Sequence, residues 1–283
     1  MKKIRLFLSL CAILSINSAH SQDTLITNVQ TAINNLGPNN PFAFYDLNLS
    51  DNEIKTLEKI TINSPILTAY NNYGHIDKLE VEVNEFIKKL SQENEIIAKE
   101  VSQLIEKLVK ELIQASGKET AWVALRPSIP NSDFDLPRWH HDGYFYKPYD
   151  IQQYKFALVL KGPSTLFCKL SPDEKKAFDI LKKKEIQKIV QDESGKIIKF
   201  EEDISNRQAL ATMISDFQAP ITIAKPYQGA VFVVGGNKAA IHSEPPISTN
   251  RLFLSILPGS KSQIDEFRLG PEEFEASMKA KNE

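Results

Sequence analysis

Three segments near the end of the chain decide the fold: Gly229-Ala230-Val231-Phe232-Val233-Val234, Ala239-Ala240-Ile241-His242-Ser243-Glu244-Pro245-Pro246, and Arg251-Leu252-Phe253-Leu254-Ser255. The first is a continuous apolar run of strand length, rich in valine, the texture of a strand buried on both faces. In the second, a lone histidine sits on a short apolar stretch that a Glu-Pro-Pro turn ends. The third is a further apolar strand opened by an arginine, whose charge is costly to bury without a partner. Working backwards, Thr120–Leu125, Ile151–Leu160 and Ile221–Ala224 read as strands, as do Ala230–Val234 and Leu252–Leu257. Ser171-Pro172-Asp173-Glu174 opens a helix with proline at its first position, so 172–190 reads as an inserted helix, and Asn206–Phe217 as another. Short strands with helices before and within them imply a barrel or sandwich buttressed by helices.

Upstream, Arg138-Trp139-His140-His141-Asp142-Gly143-Tyr144 holds two of the five histidines. Side chains of an extended segment alternate, so His140 and Asp142 share a face while His141 points away. His242, from a distant strand, can complete the set. Two imidazoles and a carboxylate suit Fe(II) and leave positions open for other ligands. Gly143 lets the chain turn away after the carboxylate. An adjacent His-Asp pair also occurs in metal-dependent phosphohydrolases, on a helix, but Pro137, Gly143 and Pro148 make a poor helix here. Trp139 and Tyr144 either line a pocket or belong to the core. Arg126 and Arg138 flank the expected site, and His75 reads as a loop residue.

From Gln22 to Gly117 the signals are helical. Ser50 and Glu53 form a capping box, and residues 77–116 carry a stripe from Leu79 and Val83 to Leu108 and Leu112 at three- and four-residue spacing. Lys2, Lys3 and Arg5, the apolar Leu6–Ile16 and Ala19-His20-Ser21 have the layout of a secretory signal peptide, so residues 1–21 are expected to be removed and the mature chain to be periplasmic or secreted. Leu10 before Cys11 argues against a lipoprotein. Residues 1–21 hold three of the 34 basic and none of the 36 acidic residues, which moves the net charge from −2 to −5 and gives no reason to expect nucleic acid as a partner. No later segment has the apolar length of a membrane span. Cys168, then the only cysteine, lies among Leu166, Phe167 and Leu170 and reads as a packed side chain.

Trp139-His140-His141-Asp142-Gly143, His242 on the strand after Gly229–Val234, and Arg251 opening the last strand resemble the Fe(II)- and 2-oxoglutarate-dependent dioxygenases. The resemblance covers residues 120–258. It implies an α+β chain: a double-stranded β-helix, a jelly-roll or cupin-like barrel over 118–258 with a helical insert near 172–217. The helical part 22–117 would pack on it, and a helical tail would occupy 259–283. It implies Fe(II) on His140, Asp142 and His242, and 2-oxoglutarate held through its far carboxylate by Arg251, with succinate and CO2 released as an unactivated C–H bond is hydroxylated and ascorbate as a supporting reductant. Ser255 lies four residues past Arg251, so the Arg-x-Ser pairing of some members is absent; Tyr154, Thr165 or Ser255 are the candidates for a hydroxyl partner to the co-substrate. The substrate, a small molecule or a protein side chain, has no signature in the sequence. The other reading is a non-catalytic barrel of the same fold that binds a ligand or partner.

Overall fold

Helix periodicity builds the N-terminal layer. The computed structural model describes residues 24–62, 69–91, 94–130, 135–183, 188–191, 197–201, 204–270 and 273. The expected signal peptide lies outside them. A first helix, α1, spans residues 24–34, and strand β1 (Phe42–Asp46) follows. Helix α2 (Asp51–Glu58) starts on the Ser50–Glu53 capping box. After strand β2 (Tyr70–Tyr73), the long stripe divides into α3 (Leu79–Ser91) and α4 (Glu95–Ser116). Asn94 caps α4, and Gly117 ends it with φ +65°, a left-handed position that glycine takes without strain. The stripe is buried along its length, with Val83, Ile87, Val101, Ile105, Leu108 and Leu112 all inaccessible.

The rest is mainly strand. β3 (Thr120–Ser128), β4 (Gln153–Lys161) and β5 (Leu166–Cys168) precede α5 (Pro172–Lys183). A hairpin of β6 (Lys188–Gln191) and β7 (Ile197–Glu201) leads to α6 (Ile204–Asp216). Then come β8 (Ile221–Ile223), β9 (Gln228–Val234), β10 (Ile241–Ser243), β11 (Arg251–Gly259) and α7 (Lys261–Leu269). Two antiparallel sheets result, one ordered β1-β9-β4-β11-β3-β2 and one β10-β5-β8. A backbone bridge between His140 and His242 adds the segment at 140 to the edge of the smaller sheet. Phe167 of β5 packs on Phe42 and Phe232 of the larger sheet, with ring centroids 4.8 and 5.6 Å apart, so the two sheets face each other. This strand order is a double-stranded β-helix.

Alternation sorts the large sheet's side chains. Val123, Leu125, Phe156, Leu158, Val231, Leu252, Leu254 and Ile256 face the layer of α1 to α4. Trp122, Ala124, Ala157, Ala230, Phe232 and Leu257 face the smaller sheet. Behind that sheet, α5 and α6 cover Trp139, Cys168 and Ile241 with Phe178, Leu210 and Ile214. Among the described residues no helix is long and apolar enough to cross a membrane.

Two expectations change. The region 22–117 is not wholly helical, because β1 and β2 close the two edges of the large sheet. The inserted helix ends at Lys183, and 188–191 is a strand rather than its last turn. Of the C-terminal tail, α7 covers Lys261–Leu269, and beyond Gly270 only residue 273 is described.

Candidate metal centre

The site forms where the segment at 140 joins β10. His140 and His242 exchange both backbone hydrogen bonds at 2.9 Å, which sets their side chains next to each other on the inner face, with ring centroids 4.3 Å apart. Two residues on, Asp142 returns to the same face. Its carbonyl accepts from the Gly235 N–H at 2.9 Å. Gly235 has φ +77°, and a Cβ there would run into the Tyr144 ring, so only glycine lets the turn after Asp142 lie against β9.

Ligand atoms of His140, Asp142 and His242 all lie within 4.8 Å of one another. His140 Nε2 is 3.8 Å from Asp142 Oδ1, and His242 Nε2 is 4.0 Å from Oδ2. Ligands about 2.0–2.2 Å from one ion lie about 3–4 Å apart, so the spacing suits a shared metal. The tautomers agree. Nδ1 of His140 is 2.8 Å from the Arg138 carbonyl, and Nδ1 of His242 is 3.2 Å from that of Ala240. A carbonyl only accepts, so both Nδ1 atoms carry the proton and both Nε2 lone pairs face the site. Burial, and then the neighbouring His242, push His140 down to about 3; burial also lowers His242. Both rings are held neutral, the form that binds metal. Burial alone would raise the Asp142 carboxyl, but the charge and hydrogen bond of Lys155 hold it well below the usual carboxylate range. Two neutral imidazoles and an ionised carboxylate fit Fe(II).

Other expected residues divide. Arg251, 2% exposed, lies on the inner face of β11, donates from Nε to the Pro163 carbonyl at 2.9 Å, and donates from Nη2 to the Thr165 hydroxyl at 3.0 Å. The ladder to β4 shifts register between Leu252 and Phe253, with Leu160 the extra residue, and Gly162 makes room for Arg251, since a Cβ there would lie 2.5 Å from the Asn250 carbonyl oxygen. Burial lowers the guanidinium to about 10 against the support of the Glu244 carboxylate. Ser255 is inside too, 1% exposed, its Oγ without a hydrogen-bond partner. In register it stands in a row, Ala124–Ser255–Ala157–Ala230, that forms a floor of small side chains across four strands. Tyr154 does not reach the site. Its ring shares the outer face with Phe156, and its hydroxyl donates to the Ser116 carbonyl of α4.

Of the undecided aromatics, Trp139 is core, 2% exposed under α5 and α6, whereas Tyr144 is exposed. His141 points away, its Nε2 3.2 Å from Asp179 of α5. Arg126 is exposed on the inner face of β3, near Trp122. Arg138 lies close enough to the Glu244 carboxylate to stabilise it. The His75 N–H donates to Asn72 Oδ1 in a turn, and burial pushes the Cys168 thiol up to about 11, out of nucleophile range.

Two further residues of the site belong to no motif in the sequence. Lys155, on the inner face of β4, donates to Asp142 Oδ2 at 2.8 Å. Glu244 follows His242 by two residues, and its carboxylate is held ionised against burial by Arg138 and Arg251. Period-two parity was the available signal for both: Lys155 alternates with the bulky outward Phe156 and Leu158, and Glu244 shares the parity of His242.

No protein family model matches the chain, and no curated protein does. Solved structures do. A prolyl hydroxylase of Trichoplax adhaerens, in complex with a hypoxia-inducible-factor peptide, is 11% identical over 89% of this chain and 96% of its own, with a TM-score of 0.39. A Pseudomonas putida prolyl-4-hydroxylase is 12% identical over 82% and 98%, at 0.36. The non-heme α-ketoglutarate-dependent carbocyclase SnoK of nogalamycin biosynthesis is 10% identical over 80% and 85%, at 0.37. By its own strand order and ligand placement, the chain is a double-stranded β-helix protein similar to the Fe(II)- and 2-oxoglutarate-dependent dioxygenases.

Proposed function

We propose that the chain is an exported Fe(II)- and 2-oxoglutarate-dependent dioxygenase that hydroxylates an unactivated C–H bond. The observation that carries this reading is the convergence of two imidazoles and a carboxylate inside a barrel whose inner face also buries an arginine. Fe(II), when bound, would supply the redox chemistry toward O2, with 2-oxoglutarate leaving as succinate and CO2. His140, Asp142 and His242 would hold the ion, their protonation already set by the carbonyls and by Lys155. Arg251, with Thr165 behind it, would bind the far carboxylate of the co-substrate and orient it. The floor of small residues leaves room for a ligand between the sheets, and Ser255 offers it a hydroxyl. Phe167 and Phe232, buried beside His242, keep water from that side of the centre. The substrate would be a small molecule or a protein side chain. Export rests on the N-terminal residues: cleavage after Ser21 would leave Gln22 first, in a periplasmic or secreted chain.

One observation favours the rival reading, a barrel that binds without catalysis. Glu244 gives Arg251 a counter-charge from within the chain, which lessens its need for an anionic ligand. Turnover separates the two. Purified protein with Fe(II), ascorbate and O2 should release succinate from 2-oxoglutarate slowly even without its substrate. Arg251→Ala should weaken 2-oxoglutarate binding by roughly 2–5 kcal/mol, as for truncating one member of a buried charge pair, and leave metal binding unchanged. If calorimetry finds no 2-oxoglutarate binding to iron-loaded protein and Arg251→Ala behaves identically, the non-catalytic barrel is the better reading.

A further inference from the structure

Asp142 follows the bridge at His140 on a loop with no regular secondary structure, and its backbone is tied by its carbonyl to Gly235. A carboxylate on such a loop can turn about two side-chain torsions, and either oxygen, or both, can face an ion. The side chain that restricts it comes from across the barrel. Lys155 stands on β4 in a row with Trp122, Leu257 and Phe232, set by the register Trp122↔Leu257 and Lys155↔Phe232. Only 7% of it is exposed. Its Nζ lies 5.0 Å from the Phe145 ring centroid, 5.5 Å from that of Trp122 and 5.8 Å from that of Phe232. The aromatic faces stabilise the cation where water does not reach and wall its head group in. Asp142 Oδ2, at 2.8 Å, receives the hydrogen bond.

We infer that Lys155 is a positioning residue for the metal centre: it holds Asp142 by Oδ2 and leaves Oδ1, the oxygen beside His140 Nε2, to the ion. The inference rests on the metal-binding part of the proposed function. Two effects of this ammonium oppose each other, and their signs differ. As a nearby positive charge it repels a dication, so its removal would tighten metal binding. As the clamp on Asp142 it pre-sets a ligand, so its removal would weaken binding, and loss of a partner that orients a ligand typically costs about 10- to 100-fold in metal affinity. A walled-in cation bonded to one oxygen of a ligand carboxylate favours the second effect.

The test is Co(II) titration of the metal-free full-length protein, followed by calorimetry and by visible absorption, for wild type, Lys155→Met, Lys155→Gln and His242→Ala. Near-ultraviolet circular dichroism of each metal-free protein reports whether the core is intact. Lys155→Met, similar in volume but with no donor, should weaken Co(II) binding about 10- to 100-fold and change the Co(II) bands, because the carboxylate is then free to turn. Lys155→Gln, which keeps an N–H donor, should lose less and keep bands closer to wild type. Equal or tighter binding by Lys155→Met would overturn the inference, leaving Lys155 a charge and no clamp. So would loss of the folded core in both variants, which would make Lys155 a packing residue. Failure of the metal reading looks different: wild type and His242→Ala would then bind Co(II) alike, and the inference would fall with it.

Discussion

Glu244 and Arg251 set the charge that a co-substrate would meet. β10 ends at Ser243, paired with Leu166, so Glu244 leaves that strand at the end where Thr165 enters β5; Thr165 takes a hydrogen bond from Arg251, and the Glu244 carboxylate supports the same guanidinium. A carboxylate placed there repels a dianionic ligand approaching the same guanidinium. Glu244→Gln should therefore tighten 2-oxoglutarate binding by on the order of 1 kcal/mol, the size of one partly screened charge interaction, as read by calorimetry on metal-loaded protein; unchanged or weaker binding would exclude this role. The imidazoles predict a pH dependence of the metal-free form. His140 is depressed to about 3 from an ordinary value near 6.5, and His242 shifts the same way. Between those values the unfolded chain binds more protons than the folded one, so stability rises with pH there. The contribution is complete above about pH 6.5 and is lost as pH falls toward 3. Calorimetric melting of the metal-free protein should show Tm dropping through this window, and His140→Asn should flatten the drop.

At the scale of one strand, parity decides what a side chain can do. On β4, Tyr154 shares its face with Phe156 and Leu158 against the helices, while Lys155 and Ala157 face the metal side. Tyr154→Phe should thus lose about 1 kcal/mol with the hydrogen bond to α4 and leave 2-oxoglutarate binding as it was, which a denaturation curve and a titration check together. Ala157→Leu should do the reverse. Filling the floor beside Ser255 should cost about 1–3 kcal/mol through overpacking and should abolish 2-oxoglutarate binding; retained binding would place the ligand elsewhere. Parity was legible in the sequence of β11, where Leu252, Leu254 and Ile256 mark the outer face and leave Arg251 and Ser255 inside. On β4 it is equally present, with Phe156 and Leu158 marking the outer face, and it places Tyr154 outside and Lys155 inside. The edge strands had no such signal. Tyr70-Asn71-Asn72-Tyr73 carries two asparagines, poor strand formers, and becomes a strand because β3 offers it an edge. The long helices were plain because their stripes run over many turns, and the inserted helix was overextended because nothing in Lys182-Lys183 marks a stop.

Across the whole molecule, the helical layer and the site are separable. Leu108 of α4 is inaccessible in the core that joins the helices to the outer face of the large sheet. Leu108→Ala should cost about 2–5 kcal/mol of stability with Co(II) affinity unchanged, because no metal ligand belongs to that core. The three ligands, by contrast, come from segments about a hundred residues apart that meet through two backbone hydrogen bonds. In the unfolded chain those positions are far apart on average, so an ion that holds them acts as a reversible cross-link closing a very long loop. Chelation should then loosen more than the site. The strands β4 to β9, all of which lie inside that loop, would exchange their amide hydrogens faster in the metal-free protein, and α3 and α4, outside it but packed on the same core, would be accelerated less.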